Sequence, residues 1–479
     1  MRSSLAVLFF LSVPAFAQQA AGLAGISGIV QDPSGASVPN AKVVISRATQ
    51  GTLRTLETNT EGVFSAPALT PGADYKVSVT APGFAEYAAE GLTLQVGQSL
   101  NLNVALAVGT NTVQVDVTGA AELINDTKTD LSQVVNSQQI QDLPINGRRV
   151  DNFVLLTPGV TNDGNFGLLS FRGIANGNSF LLDGNDSTQK FFMENNGRTR
   201  VLSGISQDAV QEFQVVSADY SAEYGRASGG VVNTVTKSGT NQFHGSAYWF
   251  YRNENFNAHD PYANINPPDT RHQVGFSLAG AFVKDKLFYF VNGEFAHRDF
   301  PFADSYVRAG VLDDVNHVWA RTGTGACGVA ASGIPAATAA QCSAIDALLP
   351  RFYGSLPRTL DQPLGFARLD YHFSDRNTFS SSFNYMQFTS PNGLQQTNAA
   401  STTGQGINSN GNDWARVRNF KLGWTSVPTS NLVNELRYGW ATDVEGDDPN
   451  FALLSPQLRL LGASVAGVQL GPINYLPRL

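Results

Sequence analysis

The sequence predicts a mainly β protein built from a small β-sandwich, a mixed α+β segment and an incomplete antiparallel transmembrane β-barrel. The barrel prediction starts from alternation, because the even positions from 274 to 282 are apolar or small while the odd positions from 273 to 281 are polar or small. Successive side chains of a strand point to opposite faces, so one face of such a strand is apolar. Loop lengths then decide whether that face meets a protein core or lipid.

Short turns and long loops alternate through the second half of the chain. Alternating segments are joined by short turns at 284–286, 374–377 and 428–430, and the intervening connections 253–271, 299–363 and 389–414 are long. Bacterial outer-membrane barrels have short turns at one end and long loops at the other, whereas a soluble sandwich has no reason to separate them. We therefore expect residues 241–479 to form the first part of an outer-membrane barrel.

Composition agrees with a β-rich exported protein. The chain has 479 residues, 46 glycines and a net charge of −8, which gives no reason to expect nucleic-acid binding. No apolar run reaches the roughly 20 residues of a transmembrane helix, so a spanning structure has to be a barrel. Residues 1–17 have the features of a signal peptide, with a charged Arg2, an apolar stretch and an Ala15-Phe16-Ala17 cleavage site.

Cys327 and Cys342 are the two cysteines of the chain, and both lie in the longest loop. In an exported protein two cysteines this close usually form a disulfide, which we expect to stabilise the loop by about 3 kcal/mol. Two thiols without a nearby histidine make a poor metal site. We also expect no cofactor or catalytic residue, because the sequence has no H-E-x-x-H, G-x-S-x-G or Walker-type motif.

Residues 22–108 are predicted to form the sandwich. Short candidate strands separated by proline- and glycine-rich turns span residues 26–31, 41–47, 75–80, 92–96 and 100–106. The strings GIVQDPSGASVPNAKVVI and TEGVFSAPALTPGADYKVSVTAPGF resemble the carboxypeptidase regulatory-like domain, an immunoglobulin- or transthyretin-like sandwich. The resemblance implies an accessory module without catalytic activity.

Residues 109–240 are predicted to be mixed. Helical patches are expected at 130–141 and 148–156, and short strands at 179–182, 211–216 and 230–236. FRGIANGNSFLLDGND at 171–186 resembles the plug-domain signature of TonB-dependent receptors. QEFQVVSADYSAEYGRASGGVVNTVTKSGTNQFHGSAYWFYRN at 211–253 is similar to the plug-to-barrel junction of their Oar-like branch. That branch has the same order of sandwich, plug and barrel, so the resemblance implies a receptor of the bacterial outer membrane.

Two residue pairs, Arg172-Gly173 and Asp183-Gly184, match the plug signature most closely. Each glycine allows a tight turn, and its charged neighbour can satisfy buried backbone groups or pair across the plug–barrel interface. We expect structural roles for all four residues and no contact with substrate. Alternatively, Asp183-Gly184 is only a hairpin turn, which is a common use of this dipeptide.

The resemblance also implies a partner, the inner-membrane protein TonB, which grips a short extended segment by strand addition. The candidate segment is VQVDVTG, which consists of Val113, Gln114, Val115, Asp116, Val117, Thr118 and Gly119. The last strand of the sandwich is an equally good interpretation of these residues, and the sequence leaves both open. Outer-membrane lipid, the barrel-assembly machinery and an unidentified ligand are the other partners expected.

Alternation assigns a face to each barrel residue. If the aromatic and aliphatic positions face lipid, the lumen receives their alternate neighbours Asn292, Glu294, Arg368, Asp370, His372, Glu435 and Arg437. A charged lumen around a plug is expected, because a charge that faces lipid is costly. The acidic residues Asp443, Glu445, Asp447 and Asp448 are expected in an outer loop, where simple solvation is favoured over cation binding.

The leading hypothesis is therefore a TonB-dependent transporter that uses the proton-motive force to move a large or scarce ligand. We count about seven barrel strands, whereas a bacterial barrel closes with a larger, even number, so we expect a partial or truncated sequence. The alternative is a secreted or surface adhesin or structural protein whose sandwich binds carbohydrate or protein; outer-membrane fractionation separates the two. A periplasmic hydrolase would need a catalytic cluster, and the sequence offers none.

Overall fold

The computed structural model gives the chain a mainly β architecture. It describes residues 22–109, 113–116, 131–163, 167–189, 195, 201, 203–220, 224–258, 268–304, 312–313, 318–319, 338, 340–341, 343–344, 354–393, 411–429, 432–449, 464–465 and 468–469. The predicted signal peptide, residues 117–119 and both cysteines lie outside this set. Among the helices of the described residues, none is long and apolar enough to cross a bilayer.

The sandwich consists of two sheets around one apolar core. One sheet has the order β4-β1-β7, with β8 also paired to β1, and the other has the order β3-β2-β5-β6-β9. The strands are β1 (Ala24–Gln31), β2 (Lys42–Arg47), β3 (Gly51–Glu57), β4 (Val63–Leu69), β5 (Gly72–Thr80), β6 (Tyr87–Leu94), β7 (Ser99–Asn101), β8 (Val104–Ala105) and β9 (Val113–Asp116). Ile26 and Phe64 of the first sheet and Ile45 and Val77 of the second are buried in this core.

The structure corrects the strand predictions for the sandwich. Strands β3 and β4 were not predicted, because neither has a clear run of alternating apolar residues. The strand predicted at 92–96 begins earlier and ends at Leu94, where the side chain of Gln98 accepts the Gln95 N–H at 2.8 Å and starts a turn. The strand predicted at 100–106 is interrupted, because the chain pairs with β1 in two separate stretches.

The plug follows the sandwich and contains a five-stranded sheet of order β10-β15-β16-β13-β14 and a hairpin of β11 and β12. The strands are β10 (Leu131–Val135), β11 (Val160–Asn162), β12 (Leu169–Phe171), β13 (Ser179–Leu182), β14 (Asn185–Asp186), β15 (Val210–Ala218) and β16 (Val231–Thr236). Helix α1 is Ser137–Asp142, and 3₁₀ turns cover Asn146–Arg148, Val150–Leu156 and Gln207–Ala209. The predicted strands at 179–182, 211–216 and 230–236 are thus confirmed.

The helical patch predicted at 130–141 was wrong in its first half. Residues Leu131–Val135 form strand β10, which pairs with β15. The helix begins only after Asn136, whose side chain accepts the Gln139 N–H at 2.9 Å while the Gln139 side chain accepts the Asn136 N–H at 3.1 Å. This reciprocal capping box fixes the helix start, so the preceding residues remain extended.

The barrel part is one antiparallel sheet of order β17-β18-β19-β24-β25-β26-β27. Its strands are β17 (His244–Asn253), β18 (Thr270–Val283), β19 (Leu287–Asp299), β24 (Thr359–Ser374), β25 (Asn377–Ser390), β26 (Gly411–Thr429) and β27 (Leu432–Pro449). Short elements outside this sheet are a 3₁₀ turn (Glu254–Phe256) and β20 (Phe302–Asp304), β21 (Leu312–Asp313), β22 (Val318–Trp319), β23 (Gly354–Leu356), β28 (Ser464–Val465) and β29 (Val468–Gln469). Within the described residues β17 and β27 do not pair, so the sheet is open.

Strand β27 is longer than expected, which corrects one prediction. It pairs with β26 as far as Gly411 and Pro449, so the acidic residues Asp443, Glu445, Asp447 and Asp448 lie on a strand and not in an outer loop. Their polar character suggested a loop, but main-chain pairing with β26 continues past the aromatic part of the strand. The short turns at 284–286 and 375–376 lie at one end of the sheet, where Thr429 and Leu432 also pair β26 with β27, and we name this end the short-turn end.

The two faces of the barrel sheet differ as the alternation predicts. Phe276 and Trp440 are 46% and 44% exposed and lie on the outer face, whereas Glu294 and Asp370 are 7% and 4% exposed and lie on the inner face. We name this inner face the wall. An outward apolar band with polar residues inside is the arrangement of an outer-membrane barrel and the reverse of a soluble barrel.

The plug packs directly against the wall. Its core, which includes Phe153, Phe180 and Phe213, is continuous with Phe290 and Phe366 of the wall. The sandwich core, by contrast, consists of sandwich residues alone within the described part of the chain. Plug and wall therefore share one packed interior, and the sandwich has its own.

Candidate functional site at the plug interfaces

The turn at Asp183 and Gly184 connects strands β13 and β14 of the plug. Both residues have left-handed φ values, +48° and +78°, which is the backbone of a two-residue type I′ hairpin turn. The Asp183 carboxylate is buried and accepts the Thr236 N–H and the Thr236 hydroxyl, each at 2.8 Å. The hairpin alternative is therefore correct in geometry, but the carboxylate also ties the turn to strand β16.

Arg368 of the wall reaches the same place. Its guanidinium donates to both Asp370 carboxylate oxygens at 2.9 and 3.0 Å, and Nη1 donates to the Thr236 carbonyl at 3.1 Å and hydroxyl at 2.9 Å. Nη1 also lies 3.4 Å from Asp183 Oδ1. One wall cation thus binds a wall carboxylate and a plug carboxylate together. Such charge-assisted, bidentate contacts are among the stronger hydrogen bonds in proteins.

Two further wall cations satisfy the carbonyl groups of the turn. Lys421 donates to the Asp183 carbonyl, and Arg437, which is paired with Glu435, donates to the Gly184 carbonyl at 3.3 Å. We name the set formed by Asp183, Gly184, Thr236, Arg368, Asp370, Lys421 and Arg437 the plug–wall network. It joins the plug turn to strands β24, β26 and β27. Inward charges predicted on β24 and β27 thus meet the plug, and so does Lys421 of β26, which was not predicted.

A second polar contact joins plug and wall farther from the short turns. Glu294 accepts hydrogen bonds at 2.6 Å from Ser206 of the plug and from Tyr248 of strand β17. Next to it, Gln362 and Asn384 of the wall donate to plug carbonyls, those of Ser203 at 2.5 Å and Gly204 at 2.9 Å. The predicted inward position of Glu294 is confirmed, but its plug partner could not be read from the sequence.

Arg172 and Gly173 play a different part from Asp183 and Gly184. The Arg172 N–H donates to the Gly159 carbonyl at 2.9 Å, and its guanidinium lies 3.4 Å from the Gly229 carbonyl. All these partners belong to the plug, so these contacts of Arg172 stay within it. Arg172-Gly173 thus belongs to a turn held within the plug, whereas Asp183-Gly184 belongs to a turn held by the wall.

The sandwich contacts the plug at two turns. The Val96 N–H donates to Glu212 of strand β15 at 2.7 Å, and the Gln50 side chain donates to the Gly239 carbonyl at 2.9 Å. The Asn241 N–H donates to the Thr49 carbonyl at 2.7 Å. Burial raises the pKa of Glu212 to about 7, and the hydrogen bond from Val96 opposes that rise.

These contacts place the sandwich at the short-turn end of the barrel sheet. Asn241 also exchanges hydrogen bonds of 2.6 and 2.8 Å with Asp285, which lies in the first short turn. A cavity of about 610 Å³ remains between the three parts and is lined by Arg54 of the sandwich, Lys237 at the end of the plug and His372 of the wall, among others. Sequence reasoning missed Glu212, although a lone acid within an apolar strand is a signal of a buried polar contact.

The segment expected to bind TonB lies partly within the described residues. Val113–Asp116 forms strand β9, which runs parallel to β6 at the edge of the larger sandwich sheet. Residues 113–116 thus form the last strand of the sandwich, as one of the two interpretations predicted. TonB binding to this segment stays a prediction, because an edge strand can also pair with another chain.

Comparisons with known proteins give the class of protein. Three family models match in chain order: the carboxypeptidase regulatory-like domain over residues 25–107, the TonB-dependent receptor plug domain over 125–232, and an outer membrane beta barrel domain over 235–301 and 325–474. The chain is therefore an outer-membrane protein with a plug and a barrel.

Two curated relatives narrow this class. The chain is 28% identical over 285 residues to the TonB-dependent transporter Oar of Myxococcus xanthus, covering 53% of this chain and 25% of that protein. It is 27% identical over 177 residues to the probable TonB-dependent siderophore receptor PirA of Acinetobacter baumannii, covering 34% and 22%. The chain belongs to the TonB-dependent receptor family, and the matched parts span about a quarter of each relative.

Among solved structures, the ferric enterobactin receptor PfeA of Pseudomonas aeruginosa is similar to this chain. The likeness has a TM-score of 0.43 and 16% identity, and it covers 66% of this chain and 42% of that one.

Proposed function

We propose that this chain acts as a TonB-dependent receptor that moves a large or scarce ligand across the outer membrane. The observation that carries the proposal is the plug–wall network, which holds a separate plug inside a transmembrane sheet. Energy is needed to release a plug held by buried charges, since a buried charge that loses its partner is costly. TonB would deliver that energy from the proton-motive force.

The proposal divides the chain into a signal peptide (1–17), a sandwich (22–108), a TonB-binding segment with the plug (109–240) and the barrel part (241–479). Short turns lie on the periplasmic side of bacterial barrels, so the sandwich, which contacts the short turn at Asp285, would face the periplasm. The outer face of the sheet would contact lipid after insertion by the barrel-assembly machinery. The receptor would bind and release its ligand without a covalent step.

A surface adhesin is not favoured by these findings. An adhesin has no use for a plug domain, whereas family matches to both plug and barrel are present. The siderophore named for one relative is a property of that relative, and the ligand of this chain remains to be identified by experiment.

TonB binding would occur by strand addition to residues 113–119. Such pairing depends on main-chain hydrogen bonds, so a residue without an N–H blocks it, whereas a smaller side chain does not. We therefore expect Val115→Pro to reduce capture of the receptor by the periplasmic domain of TonB about tenfold or more. Val115→Ala is the matched control and should bind within about threefold of the wild type.

The measurement is TonB capture by receptor in isolated outer membranes, with heat-modifiable migration as a check that the barrel is assembled. Equal capture of Val115→Pro and wild-type receptor would contradict the assignment of this segment. Loss of capture in both Val115 variants would indicate side-chain recognition instead of strand addition.

A further inference from the structure

Strand β9 is the last strand of a five-stranded sheet, and within the described part of the chain one of its edges is paired. The sheet has the order β3-β2-β5-β6-β9, so among the described residues the outer edge of β9 has no neighbouring strand. Its inner edge pairs with β6 in a parallel register that runs from Tyr87 opposite Val113 to Glu90 opposite Asp116. An unpaired edge of this kind presents free N–H and C=O groups to a further strand.

The chain that leads into β9 is also held beside the start of β6. The Ala85 N–H donates to the Ala107 carbonyl at 2.8 Å, and Phe84 bridges to Val108. The sandwich therefore fixes both the position and the extended backbone of the segment that follows. An isolated segment would lose backbone entropy when it became a strand, and here that order exists before any partner arrives.

We propose that the sandwich presents residues Val113–Asp116 as a preformed edge strand, and that the outer edge of β9 is the surface to which an extended strand of TonB adds. This inference rests on the proposed function. It assigns a role to the sandwich, which becomes a platform that displays the TonB-binding segment. It also predicts that TonB binds while β9 stays paired with β6, so the two pairings coexist.

A reversible disulfide between β6 and β9 tests the proposal. Glu90 and Asp116 are register partners, so the variant Glu90→Cys with Asp116→Cys should form a disulfide in outer membranes under mild oxidation. Loss of the surface ion pair between Glu90 and Lys76 has little effect on stability, because both side chains are well exposed. The matched control is Glu57→Cys with Asp116→Cys, since Glu57 lies on β3 at the opposite edge, roughly 19 Å away, and should not form the bond.

The readout is the affinity of the purified TonB periplasmic domain for the oxidised and the reduced receptor. We expect the oxidised receptor to bind as tightly as the reduced one or more tightly, because β9 is then fixed in the presented position. If oxidation abolishes binding and dithiothreitol restores it, the sandwich sequesters the segment and the proposal is wrong. Failure of the Glu90–Asp116 pair to form the bond would also overturn it.

A second variant removes the platform. Deletion of residues 25–107 should weaken TonB binding about tenfold or more, because the segment must then be ordered by TonB itself. Unchanged affinity would contradict the proposal while leaving TonB binding to the segment intact. If the proposed function itself were wrong, the Val115→Pro variant would bind TonB normally. Unchanged affinity after deletion of residues 25–107, with binding still lost in Val115→Pro, would contradict the platform alone.

Discussion

The plug is attached to the wall and to the sandwich in two different ways. Plug and wall share a continuous apolar core and the plug–wall network, in which Arg368 binds both Asp370 and Asp183 away from water. Sandwich and plug share a few hydrogen bonds, such as that from Val96 to Glu212, and keep separate cores. The first interface resembles the interior of one domain, whereas the second resembles a contact between two domains.

This difference indicates an order of events. A force that acts on the chain between sandwich and plug meets few interactions at the sandwich interface and many at the wall. We expect the sandwich to separate from the plug first, while the plug remains in the barrel until the plug–wall network breaks.

Arg368→Ala should have the largest effect, because it leaves the Asp370 and Asp183 carboxylates buried without their cation. Removing one partner of a buried pair costs about 3–5 kcal/mol, so the plug should unfold or leave the barrel much more readily. The measurement is denaturant unfolding of the plug in the inserted protein, together with cell sensitivity to a large antibiotic. Arg376→Ala is the control, because Arg376 lies in an exposed short turn.

Wild-type plug stability in the Arg368→Ala variant would show that the network does not hold the plug. The comparison of the two interfaces would then lose its basis.

Raising the pH should weaken the sandwich interface. Burial raises the pKa of Glu212 to about 7 in the docked state, whereas the ordinary pKa of an undocked glutamate is near 4.5. Between these two pH values the docked carboxyl keeps a proton that the undocked carboxyl has released. Docking is therefore strongest below about pH 4.5 and weakens as the pH rises through about 7, by up to about 3 kcal/mol. Hydrogen exchange at Val96, corrected for the intrinsic rate, measures this change.

Glu212→Gln is the matched variant for the pH experiment. It keeps an oxygen that can accept the Val96 N–H but cannot ionise, so docking should become independent of pH over this range. A pH dependence that persists in this variant would assign the effect to another group.

Gly51 offers the smallest and most local test. It has a left-handed φ of +78°, and a Cβ at this position would lie 2.2 Å from Oδ1 of Asp285. Gly51→Ala should weaken contact between sandwich and short turn by about 1 kcal/mol beyond the backbone strain. Gly35→Ala controls for that strain, because Gly35 has a φ of +84° and open space around its Cβ position. Equal docking of the two variants by hydrogen exchange would contradict a tight contact at Asp285.

The barrel strands could be predicted from sequence because one physical rule governs the whole sheet. Apolar residues such as Phe276 and Tyr371 alternate with residues such as Gln273 and Asp370, and that period of two is visible without any partner. The short turns confirm the pairing of neighbouring strands. Strand ends were less predictable. Strand β27, for example, continues through acidic residues, which are equally common in exposed loops.

The plug interfaces could not be predicted in the same way. Glu212 lies 116 residues from Val96, and Lys421 lies 238 residues from Asp183, so no local pattern connects them. The misassigned patch at 130–141 had an overlooked local signal, because Asn136 followed by Gln139 is a capping box that separates a strand from a helix. The family motif located the turn at Asp183 but not the wall cations that hold it.

The most direct test of the account compares adjacent residues Ser277 and Leu278 of strand β18, each labelled with a nitroxide through a single cysteine in the membrane-inserted protein. If the apolar face of the sheet contacts lipid, the label at 278 is accessible to lipid-dissolved oxygen and shielded from a water-soluble nickel complex, while the label at 277 is shielded from lipid. Lipid contact at 277 with shielding at 278 would contradict it, because the apolar face would then belong to a protein interior.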